Sequence, residues 1–518
     1  MKGQNNAAGR WIPDKINDKK VVPFQGVGKY IPDGRKASPP IVTGAHYPKD
    51  GNKVLPSLAE ALEKAGIRDG MTVSTHHHFR NGDLVANKLF DTIAEMGIKD
   101  IRWYPSASFP CHAPIIKHME SGVVHHIEGS MNGPLGEYCS RGKMRGQGIL
   151  RSHGCRYRAV QDGEVHIDIA VIAAPAADPF GNANGLTGKS ACGLLGFALA
   201  DSQYADKVIV VTDNLIPFPC IPWQIHGNHV DYVVTMEEIG DAAKIVSGTT
   251  RITRSPARLL IAEYVARFIK EAGIMKDEFS FQAGAGGTAL AFVMYLREFM
   301  KKANVKARFV RGGSTQYLVQ LLEEGLTDYI LDGQTFDLEG VRSMRENPGH
   351  VNTSPFTSYN YHGKGNFASM VDAVVLGATE IDIHFNANVV THSDGLLLHG
   401  IGGWQDCLFS KCTILAVPSF RDRIPVIVDK VTTLCGPGEL VDVVATEKGI
   451  AINPRRKDLL ETMKRSTLPI RPLQDIKKEV EQVCGGSPSP PKIEKNRVVA
   501  AIQWVDGTII DVVYKVAD

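Results

Sequence analysis

The chain has 518 residues, more than one ordinary hydrophobic core accommodates, so two or more domains are expected. With 58 basic and 56 acidic residues the net charge is +2, which gives no electrostatic reason to expect nucleic acid or a membrane surface as partner. Nine scattered cysteines without a Cys-x-x-Cys motif argue against a disulfide framework. The N-terminus has no apolar signal core and no apolar run is long enough to span a bilayer, so a reducing, cytoplasmic location is expected.

Residues 1–53 are rich in Gly, Pro, Lys and Asp without periodicity and read as an extended, loosely ordered arm. Order begins at Ser57, an N-cap for a helix over 58–65 that Gly66 ends. A strand over 71–75, a helix over 83–96 and a strand over 98–104 follow. The runs Val165–Ile172 and Lys207–Thr212 are short and continuously apolar, as suits strands buried on both faces of a parallel sheet. Helices alternate with them, which is βαβ grammar.

A boundary is expected near Ile245–Pro256, where the chain turns polar and Gly/Pro-punctuated. The pattern then restarts, with a helix over 257–273, a strand over 279–282, a glycine loop and a helix over 288–303. The reading is four segments: an arm 1–53, a first α/β domain 54–248, a second 249–484, and a linker with β-hairpin 485–518. Direct residue identity between the two domains is weak. In the tail, two β-rich runs flank Asp506-Gly507, the signal of a two-residue type I′ hairpin. An isolated hairpin is marginal in water, so it is expected to dock on the body or on another subunit.

Four clusters could carry chemistry. In His76-His77-His78-Phe79-Arg80, only His76 and His78 share a strand face, and no further ligand stands at metal spacing, so no metal is expected. The loop reads as placing His78 and Arg80 near an anionic ligand. Asp178–Lys189, with Asn182 and Asn184, is rich in turn residues but lacks the spacing of a nucleotide phosphate loop. Gln282–Gly287 presents Gly284, Gly286 and Gly287 at a strand end, yet fails as a dinucleotide fingerprint. Finally, Glu380 and Asp382 share one strand face, followed by Asn386, Asn388 and the loop Gly402-Gly403. A carboxylate pair at a strand end suits acid–base or orienting work. Arg421 and Arg423 carry guanidiniums suited to clamping carboxylates.

From about Leu55 to Leu468 the sequence resembles the citrate lyase alpha-subunit family, the citrate CoA-transferase subunits. The strings that carry the resemblance include Asp69–Ser74 with His77–Asp83, Cys111–Pro114, Gly133–Leu135, Phe180–Gly185 with Thr187–Lys189, Gly240–Ile245, Glu380–Asp382 and Arg423–Pro425. The family implies two tandem open α/β CoA-transferase-like domains. It also implies exchange of acetyl for citryl on a carrier thiol, releasing acetate. The thiol belongs to CoA or to the phosphoribosyl-dephospho-CoA arm of a gamma carrier subunit, and a beta subunit cleaves the citryl thioester. A homo-oligomer is expected, with no nucleic acid or membrane.

Relatives that form a glutamyl thioester carry a Glu in a loop that corresponds to Arg308–Gln316, where this chain has no acid and places Gly312 and Gly313. A carboxylate nucleophile cannot operate there. Direct attack by a citrate carboxylate on the thioester, through a mixed anhydride, is therefore expected. Glycine N–H groups of Gly286, Gly287, Gly312, Gly313, Gly402 and Gly403 are candidates for the oxyanion site, and Arg80, Arg421 and Arg423 for the citrate carboxylates. The alternatives are a malonate-specific transferase subunit of malonate decarboxylase and a non-catalytic scaffold. A sugar-sensing regulator is disfavoured by the lack of a helix-turn-helix or basic patch.

Overall fold

The computed structural model describes residues 2–30, 48, 50–245 and 250–517. Part of the arm (31–47 and 49) and part of the expected boundary (246–249) lie outside the described residues.

Two doubly wound sheets organise the chain. The first is seven-stranded and wholly parallel, in the order Val54–Leu55, Tyr232–Thr235, Lys207–Thr212, Ile169–Ala174, Thr72–Thr75, Ile101–Pro105, Val124–Ile127. The second is eight-stranded, in the order His350–Asn352, Thr327–Thr335, Ala307–Ser314, Phe279–Ala283, Ala373–Leu376, Thr413–Ala416, Val443–Thr446, Gly449–Ile452, and antiparallel only at its last pair. Its central strand Phe279–Ala283 is buried along its whole length although it carries Ser280 and Gln282, and Ile169–Ala174 in the first sheet is both buried throughout and continuously apolar, as expected. Apart from Val54–Leu55, which adds to the edge of the first sheet, in each sheet the chain builds outward from one central strand, then returns to build the other way. The switch points lie between Thr72–Thr75 and Ile169–Ala174, and between Phe279–Ala283 and Ala373–Leu376. Open α/β sheets bind ligands at the carboxyl ends of strands at such points.

The two halves share side-chain devices that sequence comparison undervalued. At the amino ends of the sheets, Asp168, Asp231, Asp372 and Asp442 each accept from a neighbouring strand's N–H, at Thr72, Val208, Ser280 and Thr413, at 2.7–2.8 Å. At the carboxyl ends the string Asp-x-x-x-Asn-Ala-Asn occurs twice, at 178–184 and 382–388. Asp178 Oδ1 accepts from the N–H of Phe180 and Asn182, and Asp382 Oδ1 from His384 and Asn386, at 2.9 and 3.1 Å in both cases. The side chains of Asn182 and Asn386 return a hydrogen bond to the same carboxylates and accept from Gly227 and Gly438, each at 2.9 Å. The same short motif thus folds the same hairpin in each half.

The N-terminal residues differ from the expected loose leader. Ile12 and Ile16 form an apolar cluster with Val498, Ala501, Ile509 and Val512 of the C-terminal hairpin. Asn6 donates to the carbonyl of Ile510, and Phe24 N–H to that of Ile509. The hairpin, Ile493–Gln503 with Ile509–Val516, docks on the body by pairing parallel with Gly148–Leu150 of the first half. It reaches the second half through Asp511, which accepts from Leu434 N–H at 2.7 Å and pairs with Arg10. Its loop is not the two-residue turn that Asp506-Gly507 signalled. Gln503 pairs with Ile509, and Gly507 takes φ +96° while Asp506 does not enter the left-handed region. Instead, Asp506 Oδ1 accepts from the N–H and hydroxyl of Thr508, which builds a five-residue loop packed on Arg158.

Trp504, at 1 % exposure, closes this seam against Phe24 and Phe409. Trp504→Ala is expected to lower unfolding free energy by about 3–5 kcal/mol in urea titration. Beneath the first switch point Asp201 is fully buried and accepts from both Arg156 and His76. Burial alone would raise its pKa, but the Arg156 charge and the hydrogen bonds from Arg156 and His76 outweigh that and hold it well below the usual carboxylate range. Its stabilisation is therefore present above the unfolded pKa of about 3.9 and lost as pH falls through the folded value. Asp201→Asn is expected to cost stability at pH 7, with the gap to the wild type narrowing steadily below about pH 4.

Candidate functional site

The first switch point is a histidine-lined floor. The strand Thr72–Thr75 runs directly into His76–His78. His76 and His78 do share a face, their rings stacked at 6.3 Å, but both serve the scaffold. His76 Nε2 meets Asp201 Oδ2 at 2.8 Å, and His78 Nε2 donates to Ala173 O at 2.7 Å. Burial, and then the neighbouring His76, bring the His78 pKa down to about 4, so it is neutral and gives no counter-charge to an anion. His77 packs within the first half. Its Nδ1 meets Ser106 Oγ at 2.6 Å and its ring stacks on His153 at 5.2 Å. Burial, then the Arg156 charge, take His153 to about 3.

Arg80 stands differently. It holds φ +52°, and its guanidinium lies over the Phe336 ring of the second half at 4.5 Å. Its Nη1 is buried without a hydrogen-bond partner, and no carboxylate pairs with it among the described residues. Gly313 explains the stacking: a Cβ there would stand 1.5 Å from the Phe336 ring. Gly312 is equally constrained, with φ +112° and the Ala283 carbonyl 2.9 Å from a Cβ position. A side chain, acidic or otherwise, has no room in either place.

Gly402 and Gly403 approach from the second half. The Gly402 carbonyl accepts from His153 N–H at 2.8 Å, which turns the loop's carbonyl away. The N–H groups of both glycines have no hydrogen-bond partner among the described residues. Asp406, one turn further on and fully buried, accepts from Ser152 Oγ at 2.7 Å and from Gly154 N–H at 3.1 Å. Burial lifts its pKa to about 7 against the pull of those two donors and of Arg311.

The second switch point is a cavity of about 250 Å³ lined by Gly284, Gly286, Gly287, Gly377, Arg258 and Arg421. No atom lies within 4 Å of a Cβ position at Gly284 or Gly286, and Gly287 opens the helix Gly287–Ala303. Bare backbone therefore faces the space at a helix amino end, where anions are favoured. Arg421 donates to the carbonyls of Thr379 and Ala378 rather than to an acid. Burial, then repulsion from Arg258, lower its pKa. A neighbouring cavity of about 560 Å³ shares Arg258, Gly286 and Arg421 and adds Glu380, His399 and Trp404.

Other expected site residues serve the scaffold. Asn182 and Asn386 are held in the repeated hairpins described above. Asn184 caps Leu186 N–H, and Asn388 binds Glu380 and the N–H groups of Val390 and Thr391. Glu380 and Asp382 each have their carboxylate engaged separately. Asp382 is filled by its own hairpin, and Glu380, although it reaches the cavity wall, accepts from Thr432 N–H, Thr432 Oγ1 and Asn388. Arg421 and Arg423 do not converge either. The hairpin Phe420–Arg421 with Ile424–Pro425 turns at Asp422 and Arg423, both at positive φ. Arg423 therefore sits at the turn tip and faces a different cavity beside Cys484–Pro491. Sequence reasoning missed Arg258, His153 and Asp406. A Ser152 N-cap was a readable signal for the helix His153–Gln161, but nothing local marks the other two.

The citrate lyase alpha-subunit family model, described as "Citrate lyase, alpha subunit (CitF)", matches residues 51–516 and so includes the C-terminal hairpin. The chain is 42% identical over 469 residues to the citrate lyase alpha chain of Haemophilus influenzae, covering 90% of this chain and 93% of that one. It is 41% identical to the Escherichia coli citrate lyase alpha chain, covering 90% and 91%. A Streptococcus mutans chain assigned as the alpha subunit of citrate lyase, solved in complex with citrate, superposes with a TM-score of 0.95 at 42% identity over 99% of this chain and 100% of that one. The alpha subunit of malonate decarboxylase from Acinetobacter baumannii, at 17% identity, TM-score 0.61 and coverage of 83% and 92%, shares the fold alone. This chain belongs to the citrate lyase alpha-subunit family.

Proposed function

We propose that this protein is the transferase subunit of a citrate lyase. It exchanges the acyl group on a thiol: acetyl thioester plus citrate gives citryl thioester plus acetate. The observation that supports the reading is that Gly402 and Gly403 carry unpartnered N–H groups on the loop bound to His153, whose ring stacks on His77, three residues before Arg80, which itself lacks an acid partner. The N–H groups can take an oxyanion and Arg80 a carboxylate. The citrate bound to the Streptococcus mutans relative supports citrate as acceptor.

The route is direct. A citrate carboxylate oxygen attacks the acetyl carbonyl carbon, and the C–S bond breaks to give a mixed anhydride and the thiolate. The thiolate then attacks the citryl carbonyl and acetate leaves. No charge or proton is gained or lost overall. Gly312 and Gly313 leave no room for a nucleophilic carboxylate, which supports transfer without a glutamyl thioester. The thiol is that of CoA or of the phosphoribosyl-dephospho-CoA arm of a gamma carrier subunit, with a beta subunit consuming the citryl thioester. The glycine and arginine cavity at Gly284–Gly287 suits the anionic part of that arm. Assembly as a homo-oligomer within that complex completes the proposal.

The test is to mix purified protein with acetyl-CoA and citrate, with malonate in parallel, and follow products by mass spectrometry. Citryl-CoA is expected. Malonyl-CoA in its place would move the function to a malonate transferase, and neither product from folded protein would favour a scaffold. Intact protein incubated with acetyl-CoA alone is expected to keep its mass, with no CoA adduct released by hydroxylamine. Arg80→Ala is expected to lower kcat/KM for citrate by about 10–150-fold, the worth of one charge-assisted hydrogen bond. Gly313→Ala should produce a similar loss by displacing Phe336 from under Arg80.

A further inference from the structure

The helix His153–Gln161 belongs to the first half but is gripped by the second. Near its far end Asn360 donates to Gln161 Oε1 at 2.6 Å. At its start, three consecutive residues are held from one short segment. The hydroxyl of Ser152 and the N–H of Gly154 bind the two oxygens of Asp406, while the N–H of His153 binds Gly402 O between them. The fit is close. A Cβ at Gly154 would stand 2.2 Å from Tyr359 O and 2.6 Å from Asp406 Oδ1. The backbone of Asp406 is itself fixed, because Tyr361 donates its hydroxyl to Asp406 O at 2.6 Å.

We infer that Asp406 is a positioning residue for acyl transfer: its two-oxygen grip on Ser152 and Gly154 holds the Gly402–Gly403 N–H groups in register with His153 and His77 across the interface. This rests on the transfer reading above. Asp406 does not touch the reacting atoms. It sits behind the loop, fully buried. The economy of the arrangement is physical. A loop of two glycines has no side chain to anchor itself, so its aim depends on the groups that fix its ends. A helix start offers unpaired N–H donors, and one carboxylate satisfies the donor at Gly154 together with the capping hydroxyl. Arg311, fully buried nearby with Nε and Nη2 unpartnered, forms no ion pair with Asp406, so the carboxylate's hydrogen bonds go to the helix.

The experiment compares wild type, Asp406→Ala, Asp406→Asn, Ser152→Ala and the Ser152→Ala/Asp406→Ala double variant in the acetyl-CoA and citrate assay. Amide hydrogen exchange over 152–156 and near-UV circular dichroism are followed on the same samples. Asp406→Ala is expected to lower kcat by about a hundredfold, as loss of aim at a reacting centre does, with KM for both substrates within about twofold. Exchange at Gly154 should accelerate. Asp406→Asn, which keeps one acceptor oxygen, should recover part of kcat, and the double variant should be no worse than Asp406→Ala. A folded Asp406→Ala with wild-type kcat, or a loss confined to the KM of one substrate, overturns the inference. If Asp406→Ala does not fold, Ser152→Ala carries the decision, with a kcat loss of about tenfold expected and none overturning it. A wild type that forms no citryl-CoA sinks the transfer reading instead, so the two failures are distinct.

Discussion

The buried ion pair of Arg156 with Asp201 is the interaction on which the interface is built. Both guanidinium terminal nitrogens engage the carboxylate at 2.7 Å, and one also donates to Tyr104 O. A charge pair taken wholly out of water is stable only when its remaining donors and acceptors are largely used, and here all the guanidinium nitrogens but Nε are engaged. Asp201 also takes His76, and the Arg156 guanidinium lies over the Tyr104 ring at 4.3 Å. The helix His153–Gln161 is thereby fixed on the end of the first sheet. Everything above it, from His153 to the Gly402 carbonyl and Asp406, takes its position from that helix.

The rest of the architecture repeats one scheme twice and then breaks the symmetry. Each half has the same switch-point topology, the same Asp brackets under its strands and the same Asp-x-x-x-Asn-Ala-Asn hairpin. Gly181 and Phe385 occupy equivalent turn positions, at φ +94° and +67° respectively. Glycine tolerates that region freely, and Phe385 is held there by its buried ring and by the Asp382 bonds. The halves diverge in what covers them. The N-terminal segment and the C-terminal hairpin lie across Val431–Leu434 of the second half, through Arg10 and Asp511, and add to the first half at Gly148–Leu150. The two ends of the chain are therefore a single fastening between the halves.

Two places with weakly compensated positive charge result, and they differ in electrostatics. At the interface the histidines are neutral because burial disfavours their charged form, so the positive charge comes from arginines: Arg80, and Arg311 buried near Asp406 with Nε and Nη2 unpartnered. At the second switch point Arg258 and Arg421 repel each other across a small cavity rimmed by bare glycine backbone. Uncompensated cations of that kind are costly until an anion arrives, which favours binding of a carboxylate or phosphate in either place.

The sequence by itself determined the α/β class, the alternation of elements and most strand positions, because burial on both faces leaves a continuous apolar signature that needs no partner to be read. It also determined the family, the glycine loops, Arg80 and the lack of an acid at Gly312, since these are properties of residue type and order. The Asp-x-x-x-Asn-Ala-Asn repeat was legible too, though it is short enough to vanish in a search for overall identity. Tertiary structure alone decided which polar residues are structural. Asn182, Asn388, Asp382 and Glu380 look like site residues in a string, but their hydrogen-bonding capacity is consumed by backbone amides and neighbouring side chains that lie up to dozens of residues away. It alone separated Arg421 from Arg423, because a tight turn sends adjacent side chains into different cavities. And it alone brought Asp406 to Ser152, 254 residues apart, since a hydrogen bond between two halves leaves no periodicity in either.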